Sequence, residues 1–338
     1  FNFSGSDQQK PIAVLSGGCG DDEPSETMPL TYTVSGKLPS GLAMKTVDGA
    51  SHFVGIPTQA GDFDVWVQSH SAVAGVSQIG STYPVAFSVV PLGKAAGSFN
   101  GWTVHSSEAT LNGAITLTAS GSGKLSAKVR VAGETLSFSR SGYAAETNGI
   151  VYVRLEAKGP KTVAGAVFTN ALDLAISMAT GEGTGTFTLV QAVKDEDGRT
   201  VDGTTSTSEV RLFRDSWGEA AFSELAQALE GYYTVALPVV GPSANAPLGS
   251  GTLTMTVSAN GAVKLAGVLG DGASWSAAGV LLAEDLAEGA AAKAGAAPEA
   301  YLWLYATPSA YRNAGAVCGL LRFVWNDDAG RFVGVADG

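Results

Sequence analysis

Polar and apolar residues alternate along most of the chain with a period of two. In "GTLTMTVSANGAVKLAGVLGDG" (residues 251–272), Leu253, Met255 and Val257 alternate with threonines before a Ser-Ala-Asn-Gly stretch. Such alternation places apolar side chains on one face of a β-strand. The glycine supplies the positive φ that a tight hairpin needs. The pattern predicts three meandering strands with one apolar face.

The same pattern occurs earlier in the chain, at residues 113–133, as "GAITLTASGSGKLSAKVRVAG". Aligning Gly113 with Gly251 also matches the flanks: "GSFNGWTV" precedes the first copy and "GYYTVALP" precedes the second. A long repeat present twice indicates duplicated domains rather than a solenoid. Because three strands cannot form a core alone, each copy is predicted to be a small antiparallel β-barrel or sandwich.

The first 92 residues have a different pattern, with short strands predicted at 30–34, 53–55, 63–68 and 83–90 between turns rich in Gly and Pro. This spacing is typical of an antiparallel β-sandwich. The chain is therefore predicted to be all-β. We expect a sandwich with an extended N-terminal segment at 1–92 and barrel-like modules at 93–217 and 218–338.

Two segments depart from this strand pattern. Phe222, Leu225 and Leu229 recur at helical spacing, which predicts a short amphipathic helix or turn at the junction of the two modules. The alanine-rich residues 282–300 fit either a loop or a marginal helix, because Gly289 and Gly295 weaken a helix there.

Residues 38–67, "LPSGLAMKTVDGASHFVGIPTQAGDFDVWV", resemble the immunoglobulin-like, cadherin-like repeats of bacterial surface proteins. The resemblance covers about a quarter of the chain and implies an Ig-like sandwich in a secreted, modular, non-catalytic protein. This copy departs from the usual form by the insertion "SAVAGVSQIGST" before its last strand. The matching residues, in order, are Leu38, Pro39, Gly41, Leu42, Gly55, Pro57, Thr58, Ala60, Gly61 and Phe63.

Residues 94–338 resemble glycine-rich β-modules of large secreted, autotransporter-like bacterial surface proteins. The resemblance is carried by "RDSW", "GYYTVAL" and "GTLTMTVSANGAVKLAGVLGDG". It implies architecture and an extracellular or cell-surface location, and it implies no catalytic activity.

Composition limits the classes of molecule that the chain can be expected to bind. The formal net charge is −11, which argues against nucleic acid or an anionic membrane, since both attract clustered Lys and Arg. No run approaches the roughly 18 apolar residues that span a bilayer. We read the start, which lacks Met, as a processed or truncated terminus, so the lack of a signal peptide says nothing about export.

The two cysteines, Cys19 and Cys318, lie near opposite ends of the chain. Cys318 stands in an apolar run and is read either as a buried small hydrophobe or as half of a disulfide with Cys19. Such a bond would form within one chain or between neighbouring chains.

The N-terminal segment offers a candidate donated strand for β-augmentation of a neighbour. Its apolar stretch also fits the first strand of its own domain, and the sequence leaves both readings open. The stretch consists of Pro11, Ile12, Ala13, Val14 and Leu15.

Catalytic patterns are weak, and no enzyme is predicted. No nucleophile elbow occurs, the three histidines lack metal-ligand spacing, and acidic residues cluster in turns. No cofactor is expected. The acidic turns at 20–24 and 195–198 are marginal calcium candidates, because neither follows the full EF-hand pattern.

Aromatic side chains provide the alternative binding chemistry. In "YLWLYA", Tyr301, Trp303 and Tyr305 share one face of a predicted strand, and Trp102 lies in the first copy. These rings either fill a core or form an exposed platform for stacking on sugars.

The sequence thus predicts a structural protein of a fibre, filament or adhesin stalk, whose main partner is itself. The alternative is an adhesin module that binds cell-surface glycans or proteins through exposed aromatics.

Overall fold

The fold is built almost entirely from antiparallel strands. The computed structural model describes residues 13–14, 31–47, 50–55, 57–73, 76–121, 123–140, 146–238, 247–283, 300–311, 315–326, 328 and 331–337. Within these residues there is one α-helix, and no helix is long and apolar enough to cross a membrane.

Two three-stranded sheets form the N-terminal unit, in the orders β1-β4-β3 and β2-β5-β6. Their core joins Phe53 of one sheet to Phe87 of the other, edge to face at 5.0 Å between ring centroids. The insertion noted in the sequence lengthens the β5–β6 hairpin. The strands are β1 (Ala13–Val14), β2 (Thr31–Gly36), β3 (Leu42–Val47), β4 (Ala50–Gly55), β5 (Gly61–Val73) and β6 (Val76–Val89).

A nine-stranded sheet follows, in the order β10-β9-β8-β7-β15-β14-β13-β12-β11, and it curls into a nearly closed barrel. The last long strand, β15, returns to pair with the first, β7. The strands are β7 (Gly97–Val104), β8 (Gly113–Ala119), β9 (Leu125–Val131), β10 (Glu134–Arg140), β11 (Glu146–Thr147), β12 (Ile150–Lys161), β13 (Val167–Ser177), β14 (Gly183–Lys194) and β15 (Thr200–Arg214).

Period-two alternation builds the inside of this barrel, as the sequence predicts. Ile115 and Leu117 are buried in the core, whereas Thr116 and Thr118 on the same strand are exposed. The remaining gap in the barrel lies between β10 and β12, where the Arg140 guanidinium donates a hydrogen bond to the Arg154 carbonyl at 3.1 Å. Within the described residues, a side chain therefore bridges the gap at which the sheet does not close.

The α-helix, α1 (Ser223–Leu229), lies at the junction that the sequence predicts, after a 3-10 turn at Ala220–Phe222. Phe222, Leu225 and Leu229 are all buried and pack into the core of the C-terminal module. The helix thus ties the junction to the module that follows it.

Two four-stranded sheets form the C-terminal module, in the orders β16-β17-β18-β19 and β20-β21-β22-β23, and they share one hydrophobic core. The strands are β16 (Gly231–Leu237), β17 (Gly251–Val257), β18 (Ala262–Val268), β19 (Ser274–Val280), β20 (Leu282–Ala283), β21 (Ala300–Ala306), β22 (Val317–Asn326) and β23 (Arg331–Asp337).

The β17–β18 turn at Asn260-Gly261 has a structural role. Gly261 has φ +73°, and its N–H donates to the Ser258 carbonyl at 2.9 Å. Trp217 packs directly over Gly261 and donates its indole N–H to the Leu281 carbonyl at 2.6 Å. Glycine is therefore required at position 261 for two reasons: the turn needs its positive φ, and the Trp217 ring occupies the space that a side chain would take.

Substitution of two comparable glycines, Gly261 and Gly272, tests the packing of Trp217 on Gly261. Gly272 ends a turn with the same hydrogen bonds at φ +84°, and a methyl group on it would meet nothing within 4 Å, whereas a methyl group on Gly261 would lie 2.5 Å from Trp217. Gly272→Ala should lower the free energy of unfolding by about 1 kcal/mol through its backbone angle alone. Gly261→Ala should cost about 1–3 kcal/mol more. Urea denaturation of both variants checks this, and equal losses would contradict it.

Candidate functional site

Strand β16 is the edge of its sheet, and its inner face is poorly covered. Tyr233, Val235 and Leu237 point toward the core, yet each is only partly buried. In the barrel, the inward residues Phe99 and Thr103 of β7 are almost fully buried. Every open sheet has edges, but here the edge also leaves core-facing apolar side chains in contact with solvent.

Strand β23 is the edge of the other sheet of the C-terminal module. Within the described residues no strand pairs with the outer side of β16 or of β23. The two edges border the same core, because Tyr233 of β16 contacts Phe323 of β22 edge to face at 5.5 Å. We call the space between these edges the β16–β23 gap.

On the side of the module away from this gap, hydrogen bonds connect the segments around β19, β20 and β21. The Leu281 N–H, between β19 and β20, donates to the Gly261 carbonyl at 2.8 Å and so extends the β18–β19 ladder up to the start of the second sheet. The Tyr311 hydroxyl, which follows β21, donates to the Asp271 carboxylate beside β19. This hydrogen bond, followed by one from the Ala273 N–H, lowers the pKa of Asp271, and it raises the pKa of Tyr311.

Helix α1 lies beside the β16–β23 gap without supplying a strand. Leu225 and Leu229 are buried in the module core, and the helix contacts β23. The Tyr233 hydroxyl donates to the Leu229 carbonyl at 2.7 Å, which fixes the helix to the start of β16. A helix has no free row of backbone groups, so it cannot pair with the edges.

The predicted stacking aromatics lie elsewhere, between the barrel and the C-terminal module. Trp102 of β7 stacks on Trp303 of β21 at 5.7 Å between centroids, and Tyr301 packs near Phe213 of β15 at 6.3 Å. Tyr305 is buried under the Arg130 guanidinium, and burial is the main cause that raises its pKa. The aromatic face of β21 is therefore neither a barrel core nor a solvent-exposed platform, because the neighbouring barrel covers it.

An exposed pair of aromatics lies on the N-terminal unit. Trp66 on β5 and Tyr83 on β6 are 50% and 55% exposed. The sequence-based candidates do not include them, although Trp66 is in phase with Asp62 and Asp64, on the polar face of its strand. Trp66 is opposite Pro84 and Tyr83 is opposite Val67, so the two rings point to opposite faces of the sheet. Trp66, on the outer face, is the better candidate for ring stacking on a ligand.

Cys318 lies on β22 and faces the barrel, with its sulfur 4.0 Å from the Ala109 carbonyl. It is partly buried, and burial raises the pKa of its thiol. Its predicted partner, Cys19, lies outside the described residues, so the disulfide stays a prediction.

The candidate donor strand is described in part. Ala13 and Val14 pair with Phe53 and His52 of β4, which corresponds to the first strand of the same domain. Pro11, Ile12 and Leu15 lie outside the described residues. Donation of this segment to a neighbour stays a prediction, and it would require Ala13 and Val14 to leave β4.

The carboxylates of the acidic turn at 195–198 interact with the neighbouring Arg199. The Asp195 carboxylate accepts the Arg199 N–H at 2.8 Å, and Asp197 lies 3.5 Å from the Arg199 guanidinium. Within the described residues no group of three or more His, Cys, Asp or Glu side chains is placed to hold a metal ion. The other calcium candidate, 20–24, lies outside those residues.

Comparison with known proteins gives no relative: no protein-family model, curated protein or solved structure matches this chain.

The contact between barrel and module yields a prediction. Trp102→Ala and Trp303→Ala should each destabilise the protein, and a double-mutant cycle by urea denaturation should give a coupling free energy of about 0.5–1.5 kcal/mol, since the rings stack. The pair Trp102→Ala and Trp66→Ala serves as control and should be additive, because Trp66 lies on the separate N-terminal unit. Additivity of Trp102 and Trp303 would contradict the stacking.

Proposed function

We propose that the protein is a non-catalytic structural protein of the cell surface, a subunit or segment of a fibre, filament or adhesin stalk that associates through strand edges. The observation that carries the proposal is the pair of edges at the β16–β23 gap. Unpaired strand edges next to exposed apolar side chains are a template for another strand. The edge strand β16 combines an unpaired outer side, within the described residues, with the partly exposed apolar side chains of Tyr233, Val235 and Leu237.

The wider organisation supports the same proposal. We propose that the N-terminal sandwich is Ig-like and that the barrel and the C-terminal module are duplicated domains. β7 and β16 share the same register against the next strand, since Gly97 faces Ala119 and Gly231 faces Val257 at aligned positions. Rigid β-modules in series suit a load-bearing or spacing role, and the net charge of −11 disfavours nucleic acid as a partner.

Assembly is testable with a charge placed at the open edge. The purified chain should form oligomers or filaments by sedimentation velocity and negative-stain electron microscopy. Thr234→Lys, an exposed position on β16, should weaken assembly, because lysine on an edge strand opposes pairing. Thr116→Lys, equally outward but on a strand paired on both sides, should leave assembly unchanged. A chain that stays monomeric at high concentration would refute self-assembly.

A second candidate function is favoured by Trp66. Its exposed ring lies on the outer face of the β5–β6 hairpin, where its cross-strand neighbour is Pro84, and it offers an apolar surface of the kind that stacks on sugars. The protein would then be an adhesin module for cell-surface glycans.

Glycan-array binding tests this candidate. Trp66→Ala should abolish any signal without loss of folding. Tyr152→Ala, which removes an aromatic of similar exposure from the barrel, should leave the signal intact. Binding that survives Trp66→Ala would place the ligand site elsewhere.

A further inference from the structure

We infer that the outer face of the β2-β5-β6 sheet binds an uncharged glycan. The Trp66 ring stacks on one sugar, and Asp64 and Gln68 form hydrogen bonds with its hydroxyl groups. The inference rests on the second candidate function proposed above and names the class of glycan that the same site takes.

The first step is the order of side chains along β5, the central strand of this sheet. Val65 and Val67 are buried in the core of the N-terminal unit, so the residues that alternate with them face outward. Asp64, Trp66 and Gln68 therefore follow one another on the outer face, about 7 Å apart along the strand. This order places a carboxylate and a carboxamide on either side of an indole ring.

The neighbouring strands leave the indole ring accessible. Its cross-strand neighbours, Ser35 on β2 and Pro84 on β6, have small side chains, and Trp66 is 50% exposed beside them. Within the described residues, Trp66 is the only aromatic residue at an outward position of the three strands. The face thus offers a single position at which a sugar ring can stack.

The second step is the hydrogen-bonding capacity beside this ring. Asp64 is exposed and makes no hydrogen bond or ion pair within the described residues. Gln68 makes one long hydrogen bond, which its Nε2 donates to the Gly80 carbonyl at 3.5 Å. A sugar presents an apolar C–H face bordered by hydroxyl groups that donate and accept. An aromatic ring between a carboxylate and a carboxamide matches both parts of that surface.

Polar side chains farther along the face are already paired. The Ser88 hydroxyl donates to the Asp62 carboxylate at 2.7 Å, and Thr33 and His70 share a hydrogen bond at 2.8 Å. Asp62 and His70 lie toward the two ends of the same outward row of β5. The groups of this row that are available to a ligand are therefore those next to Trp66.

The third step is the charge of the face. Within the described residues, the outward strand positions carry no Lys or Arg, and their ionisable side chains are Asp62, Asp64 and His70. An anionic sugar stacked on Trp66 would meet the Asp64 carboxylate without a cation to offset the repulsion. The net charge of −11 acts in the same direction. The face therefore favours uncharged glycans over glycans that contain acidic sugars.

Matched oligosaccharides test this preference. Isothermal titration calorimetry compares oligomers of glucose, galactose and mannose with oligomers of the corresponding uronic acids, which differ by a carboxylate at C6. The full chain should bind at least one uncharged oligomer about tenfold or more tightly than its uronic counterpart. Equal affinity for the two forms, or a preference for the uronic form, would overturn the inference.

Two aspartates of the same row provide matched variants. Asp64→Asn should weaken binding of the uncharged oligomer about fivefold, because hydrogen bonds to a charged acceptor are stronger than those to a neutral one. It should also narrow the difference between the uncharged and uronic forms. Asp62→Asn should bind as the parent chain does, because the Asp62 carboxylate is paired with Ser88. Equal effects of the two substitutions would overturn the inference.

The outcomes separate this inference from the second candidate function. Array binding that requires Trp66 but does not distinguish uncharged from uronic glycans would support an adhesin module and overturn the inference. A chain that binds no arrayed glycan is titrated with the uncharged oligomers at millimolar concentration, and the Trp66 indole N–H resonance is followed by NMR after assignment with Trp66→Phe. A shift of this resonance would support the sugar site and refute the adhesin function, whereas no shift would refute both.

Discussion

Pairing of strand edges is the constraint on which the structure depends. A strand removed from water must find partners for its backbone N–H and C=O groups on both sides. The barrel meets this demand by returning β15 to β7 and by bridging β10 and β12 with Arg140. In the part of the C-terminal module that the structure describes, the outer edges of β16 and β23 have no strand partner, whereas the Tyr311–Asp271 hydrogen bond links the segments that follow β21 and precede β19. Two similar meanders thus differ in closure: the barrel is nearly closed, whereas the C-terminal module keeps the β16–β23 gap.

A second layer of contacts fixes the barrel against the C-terminal module. The outer face of β7 and β15 carries Trp102 and Phe213, and the outer face of β21 carries Tyr301 and Trp303. Because these rings pack on one another, the outward side of one sheet becomes an interior surface of the pair. Trp217 adds a second attachment by seating the connecting segment against Gly261. The contact between barrel and module thus depends on a few aromatic side chains, whereas each core is built from about twenty buried residues.

The sequence predicts the local elements well. Strict alternation around Ile115 and Leu253, with polar residues on the other face and glycine at the turn, leaves little choice but a half-buried strand and hairpin. Helical spacing from Phe222 to Leu229 is equally direct. These strands, turns and the helix depend on residues that are close in the chain, so the sequence alone predicts them.

Local patterns do not predict contacts between segments that are distant in the chain. In "YLWLYA" both faces are apolar, which is typical of a strand covered on both sides. Leu302 enters the module core while Trp303 packs on the barrel, and only the fold shows which partner covers the aromatic face. Trp66, by contrast, is in phase with Asp62 and Asp64 on the polar face of its strand, and it is exposed. The open edge of β16 is equally hidden in the sequence, because an unpaired strand has the same pattern as a paired one.

The closure of the barrel also determines how the chain would carry tension. The chain enters the barrel near Ser98 and leaves it near Asp215, and the Asp215 N–H donates to the Ser98 carbonyl at 2.7 Å. A pulling force on the two flanking segments would therefore pass between adjacent residues and would not stretch the intervening strands. The bonds between β7 and β15 would be loaded one after another from this end. In the extended assembly proposed above, the barrel would add width and very little length.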